Sequence, residues 1–447
     1  MQNTIVLLFI GISLLIYAFK HRSPENNEKY SVANRSVGIF ALTATLVMTE
    51  FNTATLISFS SLGYVTGLKA LALPAVFLIG LIFYALVAAK KWKEFNGFSV
   101  VDFFIHRYGL RIGIIAASFL FISMAGFSAT YLKSLTLLFE NLLPQTNYWI
   151  SSAYIVLLTL FMVIRGGLAS IIKVDVCAFI IVLFVLPWIL YQTWTSNIVV
   201  SDQLIKNEVF NSGEISFNFI ISLIPLTMFS YILAPWYGQR IFAAKNVKVA
   251  YISVIFSAIF VFLFYSMGIL ICYCLALKGF KLHNSEQSFP YALNLSLKNY
   301  FAPVVYLIFF LISATTLTGV WMAMANIGLE FTKSIDIKHK SISMILVCAL
   351  ITYMLANILI DNILNKMILI NIPVISLSFA LLAGFYWPRI SRPAIYTSIV
   401  IGMTLGIGCY LYFREKGCYT YYWAFAGIPI IFVSGFLVAW IYPSKET

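Results

Sequence analysis

Long apolar stretches recur along the whole length of this chain of 447 residues. Many of them reach about 20 residues, the length that an α-helix needs to cross the hydrocarbon layer of a membrane. The chain is 61% hydrophobic and 10% charged, with a mean hydropathy of +0.93, which is too apolar for a soluble globular protein. We therefore predict an all-α polytopic membrane protein that forms a single transmembrane domain over residues 1–447. Thirteen spans are predicted, near residues 4–19, 37–63, 70–89, 112–138, 146–165, 170–192, 216–237, 248–278, 303–331, 341–360, 367–387, 394–413 and 420–441.

The charges near the predicted spans indicate the topology. The first apolar run, residues 4–19, has no positive segment before it and is followed directly by Lys20, His21 and Arg22, which favours an uncleaved helix with its N-terminus outside. With that start, 20 of the 29 Lys and Arg residues fall in inner loops and 8 in outer loops. The chain is therefore expected in a bacterial inner membrane, with its C-terminus in the cytoplasm. This bias explains the net charge of +13 without a nucleic-acid partner.

The sequence predicts neither a metal centre nor an enzyme. The six cysteines lie mostly inside apolar runs and show no ligand spacing apart from Cys272-x-Cys274, so neither a metal site nor a disulfide is expected from them. The four histidines lie in predicted loops. Catalysis would need a nucleophile with its base, or a pair of acid and base groups, and the predicted spans contain neither an intramembrane histidine nor a carboxylate pair.

The stretch LTATLVMTEFNTATLISFSSLGY, residues 42–64, carries a carboxylate, Glu50, in the middle of an apolar segment. A charged side chain in the middle of a membrane helix costs roughly 2.5–3.5 kcal/mol on insertion scales, and such residues commonly mark a functional site. Asn52 and Thr53 follow it directly. The predicted helix 37–63 is therefore expected to be interrupted near its centre, although the stretch from residue 39 to residue 62 contains neither glycine nor proline.

A second span, residues 216–237, is also apolar at both ends and is marked by Pro225, Thr227 and Ser230 in its middle. The predicted spans 112–138 and 303–331 are unusually long, and each comes two spans after an interrupted one. A correspondence of this kind, five spans apart, is what a five-plus-five inverted repeat leaves in a sequence. The alternative is that the long spans are merely tilted and that the polar residues connect neighbouring helices.

Four motifs accompany these spans in the order EKYSVANRSVGIFALTAT (28–45), FSVVDFFIHRYG (98–109), RGGLASIIKVD (165–175) and QRIFAAKNVKVA (239–250). Together they resemble the sodium:solute symporter family over roughly residues 1–390. The resemblance implies a LeuT-like 5+5 inverted repeat, with thirteen transmembrane helices in all. It also implies how the chain is divided. Residues 1–36 would form a first helix and an inner loop, 37–192 the first repeat, 216–387 the second repeat and 394–441 two additional helices.

The resemblance also implies a sodium site between the first interrupted helix and the long ninth span. The matching positions are Met48 and Phe51, acting through their carbonyls, with Ile312, Thr315 and Thr316. Sodium is a hard cation that prefers oxygen ligands, and an unwound helix offers free carbonyls. Read without the family, Thr315 and Thr316 would only bond back to their own helix or to a neighbour.

Some members of the family bind a second sodium ion, and the matching residues are Asp175, Thr315 and Thr318. Gly319 stands where a further hydroxyl would help, and Lys173 lies two residues before the aspartate. The alternative is that Asp175 is an ordinary residue near the inner end of its helix.

The substrate of a LeuT-type carrier lies near the midplane between the two interrupted helices. The positions carried over from the family are Glu50, Thr53, Thr55, Thr227, Ser230 and Tyr231. A carboxylate at Glu50 would hold an amine directly or stabilise the sodium site. Lys133, far along the fourth span, is expected either to reach the outer interface or to attract an anionic solute in a vestibule.

The resulting hypothesis is a sodium-coupled symporter that imports a small organic solute by alternating access. Sodium is its coupling ion, the lipid bilayer surrounds it, no other cofactor is expected, and the proposed solute is an amino acid or another amine-bearing or zwitterionic molecule. One alternative is a proton-coupled carrier of the same fold that uses Glu50, because a buried carboxyl can take up and release a proton. Another is a transporter-like sensor, which would have to signal through another protein because only residues 444–447 follow Pro443.

Overall fold

The computed structural model describes residues 32–95, 97–140, 146–196, 216–297, 302–330, 337–415 and 418–443, without the side chains of residues 163–167, 302, 330 and 337–340. Within these ranges the regular structure is helical, apart from one isolated bridge between Val37 and Ala244. The predicted first span, residues 4–19, lies outside the described residues.

The α-helices of the first half lie between residues 39 and 195. They are α1 (Ile39–Glu50), α2 (Thr53–Thr66), α3 (Ala72–Tyr84), α4 (Lys90–Phe95), α5 (Val100–Tyr108), α6 (Leu110–Glu140) and α7 (Tyr148–Thr195). A single π-helical turn, Ala85–Ala89, makes α3 continuous with α4.

The α-helices of the second half begin at residue 217. They are α8 (Phe217–Tyr231), α9 (Pro235–Ala243), α10 (Val247–Leu277), α11 (Ser288–Ser296), α12 (Ala302–Glu330), α13 (Ile337–Ile358), α14 (Ile363–Ser376), α15 (Ser378–Tyr386), α16 (Arg392–Phe413), α17 (Tyr419–Tyr422) and α18 (Ile428–Ile441). The long helices end close to the predicted bounds, as for α10, which was predicted at 248–278.

Many of these helices are suited to a bilayer. In the described part of the chain, eight helices are long and apolar enough to cross a membrane, and up to ten if each of two bent pairs counts as one span. This confirms the prediction of an all-α polytopic membrane protein. The count of thirteen spans and the inverted repeat stay predictions.

The break predicted in the first span is present. Helix α1 ends at Glu50, and α2 begins at Thr53 after two residues with non-helical dihedral angles. The Asn52 side chain caps α2 by accepting a hydrogen bond from the amide of Thr55 at 3.0 Å. Since neither glycine nor proline is present, the break depends on this cap and on tertiary contacts of the freed backbone groups.

The second break differs in position from the prediction. Helix α8 continues through Pro225 to Tyr231, and the chain bends by 49° between α8 and α9. A proline inside a helix removes one hydrogen bond and need not end the helix, whereas Pro235 fits the first position of α9 because no intrahelical partner is required there. A third bend, of 40°, separates α14 from α15 and was not predicted.

The connections also differ from the sequence prediction in one place. The two spans predicted at 146–165 and 170–192 belong to one helical element, α7, which continues through the glycine pair of the motif RGGLASIIKVD. Most of the motif FSVVDFFIHRYG (98–109) forms the amphipathic helix α5. Helix α5 ends at Gly109, whose φ of +89° is in the left-handed region that favours glycine.

The broken helices lie at the centre of the bundle. Helices α1 and α2 pack against α10, and α1 also packs against α7 and α12. Helix α8 packs against α3 at Gly80, where an added Cβ would lie 2.6 Å from the Thr227 methyl group and 2.9 Å from the Tyr231 ring. Gly80 therefore permits the close approach that places the end of α8 opposite the break in α1.

Candidate ion and substrate site

Glu50, the last residue of α1, is buried at the break. Its carboxylate accepts a hydrogen bond from the hydroxyl of Tyr231. Its carbonyl oxygen accepts one from the hydroxyl of Tyr265 and another from the side-chain amide of Asn52, the latter at 2.9 Å. The tertiary structure thus supplies donors for a backbone oxygen that the interrupted helix leaves without an intrahelical partner.

Three of the five predicted sodium ligands meet beside this break. The hydroxyl of Thr316 lies 3.1 Å from the carbonyl oxygen of Met48 and 2.9 Å from that of Ile312. Phe51 is at the break itself, and its ring packs against Phe264 and Tyr265. The cluster consists of uncharged oxygens, the ligand type that a hard monovalent cation takes in place of water.

The fifth residue, Thr315, is directed toward a different group. Its hydroxyl donates to the carbonyl of Ile312 at 3.0 Å and lies beside the carboxylate of Asp175. Thr318 donates to the carbonyl of Thr315 at 2.8 Å. Of the residues predicted for a second sodium, Thr315 on α12 therefore reaches Asp175, a fully buried aspartate of α7, while Thr318 bonds back to its own helix.

A cation of the protein already lies next to that aspartate. The guanidinium of Arg240 is completely buried, with Nη2 3.7 Å from Asp175 Oδ2. Its Nε donates to the hydroxyl of Thr45 at 3.0 Å, and Thr45 in turn donates to Asp175 at 2.5 Å. At Gly319 an added Cβ would lie 3.2 Å from both Nη atoms, so the glycine leaves room for the guanidinium. Arg240, one of the 20 basic residues assigned to inner loops from the sequence, is thus a buried residue of α9 and not a loop charge.

Five of the six substrate residues predicted from the two broken helices lie around one cavity. Glu50 and Thr55 line it from the first break, and Thr227, Ser230 and Tyr231 line it from α8. Space not filled by protein atoms amounts to about 860 Å³, including the part that is open to solvent.

Thr53, the remaining predicted substrate residue, is directed away from the other five. Its hydroxyl contacts Ser134 on α6 at 2.7 Å and Ser313 on α12 at 2.8 Å. Its amide also donates to the hydroxyl of Ser313, at 3.1 Å. Thr53 therefore holds the first turn of α2 against two neighbouring helices.

Aromatic rings form much of the cavity wall. They are Phe59, Phe77, Phe127, Tyr131, Tyr231 and Trp236. Phe127 and Trp236 pack edge to face with centroids 5.0 Å apart, and Phe77 packs in the same way on Tyr231 at 5.8 Å. Contacts of this kind fix the orientation of the rings and leave their faces or edges available to a ligand.

Lys133 lies apart from this cavity. Its ammonium lies over the ring of Tyr148, 3.8 Å from the ring centroid, and the lysine is not among the described residues that line the cavity. The hydroxyl of Tyr148 donates to the carbonyl of Lys133 at 3.3 Å, which keeps the two residues together.

Sequence reasoning missed several residues of the site. Tyr265 and Trp236 carried no signal, because aromatic residues are frequent throughout the chain. Asn371 on α14, which also lines the cavity, is a polar residue inside an apolar run and could have been found on that ground. Gly80 could be identified only from its contacts with α8.

Comparison with known proteins adds to this geometry. The model of the sodium:solute symporter family matches residues 30–402 of the chain. No curated protein matches it in sequence. A sodium-coupled sialic acid symporter in a substrate-bound, outward-open state has a similar structure, with 14% identity and a TM-score of 0.76, covering 100% of this chain and 99% of that one.

Two further solved structures are similar over most of their length. A nucleobase-cation-symport-1 family transporter, closed with bromovinylhydantoin bound, has 12% identity and a TM-score of 0.57, covering 94% of this chain and 97% of that chain. A manganese transporter from Eremococcus coleocola has 12% identity and a TM-score of 0.54, covering 94% and 96%. At these identities the likeness concerns the fold alone.

Proposed function

The chain belongs to the sodium:solute symporter family and is a sodium-coupled membrane transporter rather than an enzyme, and we propose that its solute is a small amine-bearing molecule. The observation that carries this proposal is the carboxylate of Glu50, which lines the cavity at the break of α1. An amine held there would form an ion pair with a buried carboxyl whose one side-chain partner, among the described residues, is the hydroxyl of Tyr231.

We assign the coupling ion to the oxygen cluster of Met48, Ile312 and Thr316, with the carbonyl of Phe51 as a further ligand. A sodium ion moving inward down the membrane potential supplies about 2.3 kcal/mol per 100 mV, which can concentrate a solute. Because Met48 and Glu50 lie in the same last turn of α1, an ion on the first would order the turn that presents the second. This arrangement gives the coupling a physical route.

A single sodium ion per cycle follows from the buried pair of Asp175 and Arg240. A second ion beside Asp175, Thr315 and Thr318 would have to share the carboxylate with a guanidinium that is 3.7 Å away. An ion bound to the same carboxylate would lie close to the guanidinium, and two cations so near each other repel strongly in a low-dielectric interior. We therefore assign these residues to the structure of the inner half of the bundle, not to ion binding.

Alternating access requires contacts that close the cavity on one side. Trp92 donates to the carbonyl of Ile232 at 2.8 Å, and Arg107 donates to that of Trp387 at 3.1 Å. In the topology with the N-terminus outside, both donors lie in the inner loop between the predicted spans 70–89 and 112–138. We therefore assign these bonds to the inner gate. Within the proposed inverted repeat, residues 37–192 and 216–387, the two broken helices occupy equivalent places.

The experiment that tests the function is a ligand screen by thermal stability of the purified protein in sodium and in potassium. An amine-bearing solute should raise the melting temperature more in sodium than in potassium, because ion and solute stabilise the same turn. If the stabilisation is equal in both salts but depends on pH, the coupling ion is a proton and Glu50 is its carrier. That outcome would contradict the sodium assignment.

A further inference from the structure

We propose that the solute is an organic monocation, with an ammonium group on an apolar or aromatic body and no carboxylate. The proposal rests on the function proposed above and narrows it, because amino acids and other zwitterions are then excluded. Three features of the site support it: the charge of the cavity, the state of the two helix ends that face it, and its aromatic wall.

The cavity holds a carboxyl group and, among the described residues that line it, no basic side chain. Among the described residues that line it, Glu50 is the only one with a charged side chain. In the described part of the chain the Glu50 carboxylate is contacted by one donor, the uncharged hydroxyl of Tyr231. Arg240 pairs with Asp175 and donates from Nη1 to the carbonyl of Trp236 at 3.1 Å, behind the cavity wall, and Lys133 lies over Tyr148; neither is among the described residues that line the cavity. A buried carboxylate without a basic partner favours a cationic ligand.

The break in α1 offers little to a carboxylate. Free amides at the start of a half-helix are the usual partners of an anionic substrate group in transporters of this architecture. At the start of α2, however, Thr53 donates to Ser313 at 3.1 Å, and Thr55 and Leu56 donate to Asn52 at 3.0 Å. The protein itself therefore satisfies the amides of Thr53 and Thr55, two of the three at the start of α2, and leaves fewer donors for a solute carboxylate.

The start of α9 is partly occupied in a similar way. Pro235 has no amide proton, and Tyr237 and Gly238 both donate to the carbonyl of Ala234, at 3.1 and 2.9 Å. The proposed sodium ligands Met48 and Thr316 are not among the described residues that line the cavity, so the ion does not offer its charge to a carboxylate either. An anionic group on the solute would then be desolvated without compensation, beside the negative charge of Glu50.

The aromatic wall completes a site for a cation. Six aromatic side chains line the same cavity as the carboxylate, and five of them are tyrosine or phenylalanine rings on α2, α3, α6 and α8, such as Phe59 and Tyr131. Ring faces attract ammonium groups, and quaternary ammonium ligands are commonly bound by cages of this kind. The same rings would bury the apolar part of the solute.

The test uses two matched pairs of probes that differ by a carboxylate: 2-phenylethylamine with L-phenylalanine, and choline with glycine betaine. Their dissociation constants are measured with the purified full-length protein in sodium, by calorimetry or by thermal stability. We expect at least one cation to bind at least tenfold more tightly than its zwitterionic counterpart. If neither cation binds more tightly than its counterpart, the inference is overturned.

Variants of Glu50 and Trp236 distinguish a loss of cation binding from a loss of folding. Glu50→Gln keeps the hydrogen-bonding shape and should weaken binding of the cation at least tenfold, while the sodium-dependent rise in melting temperature shows that the variant is folded. Trp236→Leu should weaken binding of the cation more than Trp236→Phe does. Unchanged cation affinity in Glu50→Gln would overturn the inference. Tight sodium-dependent binding of a zwitterion would also overturn it, yet would leave the proposed sodium-coupled function standing.

Discussion

The hydroxyl of Tyr231 donates a hydrogen bond to the carboxylate of Glu50, and this bond joins the last residue of α8 to the last residue of α1. The two interrupted helices thus meet through their ends across the wall of the cavity. The polypeptide leaves a helix at each of these residues. We therefore expect that binding of solute or ion at one break changes the other break through this contact.

Replacing Tyr231 by phenylalanine removes this donor and keeps the ring. We expect solute affinity to fall about 10- to 100-fold, since a hydrogen bond to a charged group contributes about 1.5–3 kcal/mol. Binding titrations in sodium measure the effect. Tyr237→Phe is the matched control, because its hydroxyl contacts Ser257 at 2.9 Å and it is not among the described cavity residues. Equal losses in the two variants would mean that the Glu50 contact has no special role.

Replacing Thr316 by alanine removes the only side-chain oxygen of the proposed ion cluster. Sodium affinity should fall roughly tenfold or more, because about one favourable oxygen contact to a cation is lost. The sodium dependence of thermal stability measures the affinity. Thr318→Ala serves as the control, since its hydroxyl donates back to Thr315. A sodium affinity that falls in Thr318→Ala but not in Thr316→Ala would move the ion to the side of Asp175.

Replacing Asp175 by asparagine leaves the buried guanidinium of Arg240 without its carboxylate. We expect a loss of about 3–5 kcal/mol in stability, the usual cost of removing one partner of a buried ion pair. The double variant Asp175→Asn with Arg240→Gln should recover part of the melting temperature. Sodium binding in the double variant should keep its affinity and a Hill coefficient near one. Loss of a second sodium-binding event in Asp175→Asn would contradict the assignment of one ion.

Replacing Asn52 by alanine removes the cap of α2 and a donor to the carbonyl of Glu50. The expected cost is about 0.5–2 kcal/mol of stability, with a parallel fall in sodium affinity because the break becomes less well ordered. The control is Asn246→Ala, which removes an equivalent cap from α10, where Asn246 accepts from Val249 at 2.9 Å. That variant should lose stability alone, as measured by melting temperature with and without sodium. Sodium affinity that falls equally in both would refute a specific role for Asn52.

Glu286, in the loop before α11, should make stability depend on pH. Burial raises the pKa of its carboxyl, outweighing a hydrogen bond from the amide of Ile363 at 3.2 Å and the nearby charge of Lys133, both of which lower it. The folded state therefore binds a proton more readily than the unfolded state, so stability falls as pH rises from about the ordinary carboxyl value through the raised one. Melting temperatures between pH 4 and 8 should show this fall, and Glu286→Gln should reduce it. An unchanged pH profile in the variant would contradict this account.

Hydropathy predicted the helices well, because every membrane span must satisfy its own backbone and hide it from lipid. The break at Glu50 was predicted as well, since the polar residues that cause it are adjacent in sequence. The break after α8 was misplaced because Pro225 is a strong local signal, whereas the observed bend depends on Pro235 and on packing against α3.

The site could be predicted only in part for a similar reason. The resemblance brought forward Met48, Ile312 and Thr316, which the structure places together. The position of Arg240 could not be deduced, because its burial depends on Thr45 and Asp175, far away in the chain. A positive-inside count treats each basic residue as a loop charge and has no means of recognising one that pairs inside the bundle.

The most direct test of the account is transport by the purified protein in liposomes. With 2-phenylethylamine or choline outside, an inward sodium gradient should drive accumulation of the cation in wild-type protein, and Thr316→Ala should lose this dependence on sodium. Glu50→Gln should transport poorly even with the gradient. Accumulation that proceeds equally with potassium outside, or that requires a pH gradient instead, would contradict sodium coupling at the break of α1.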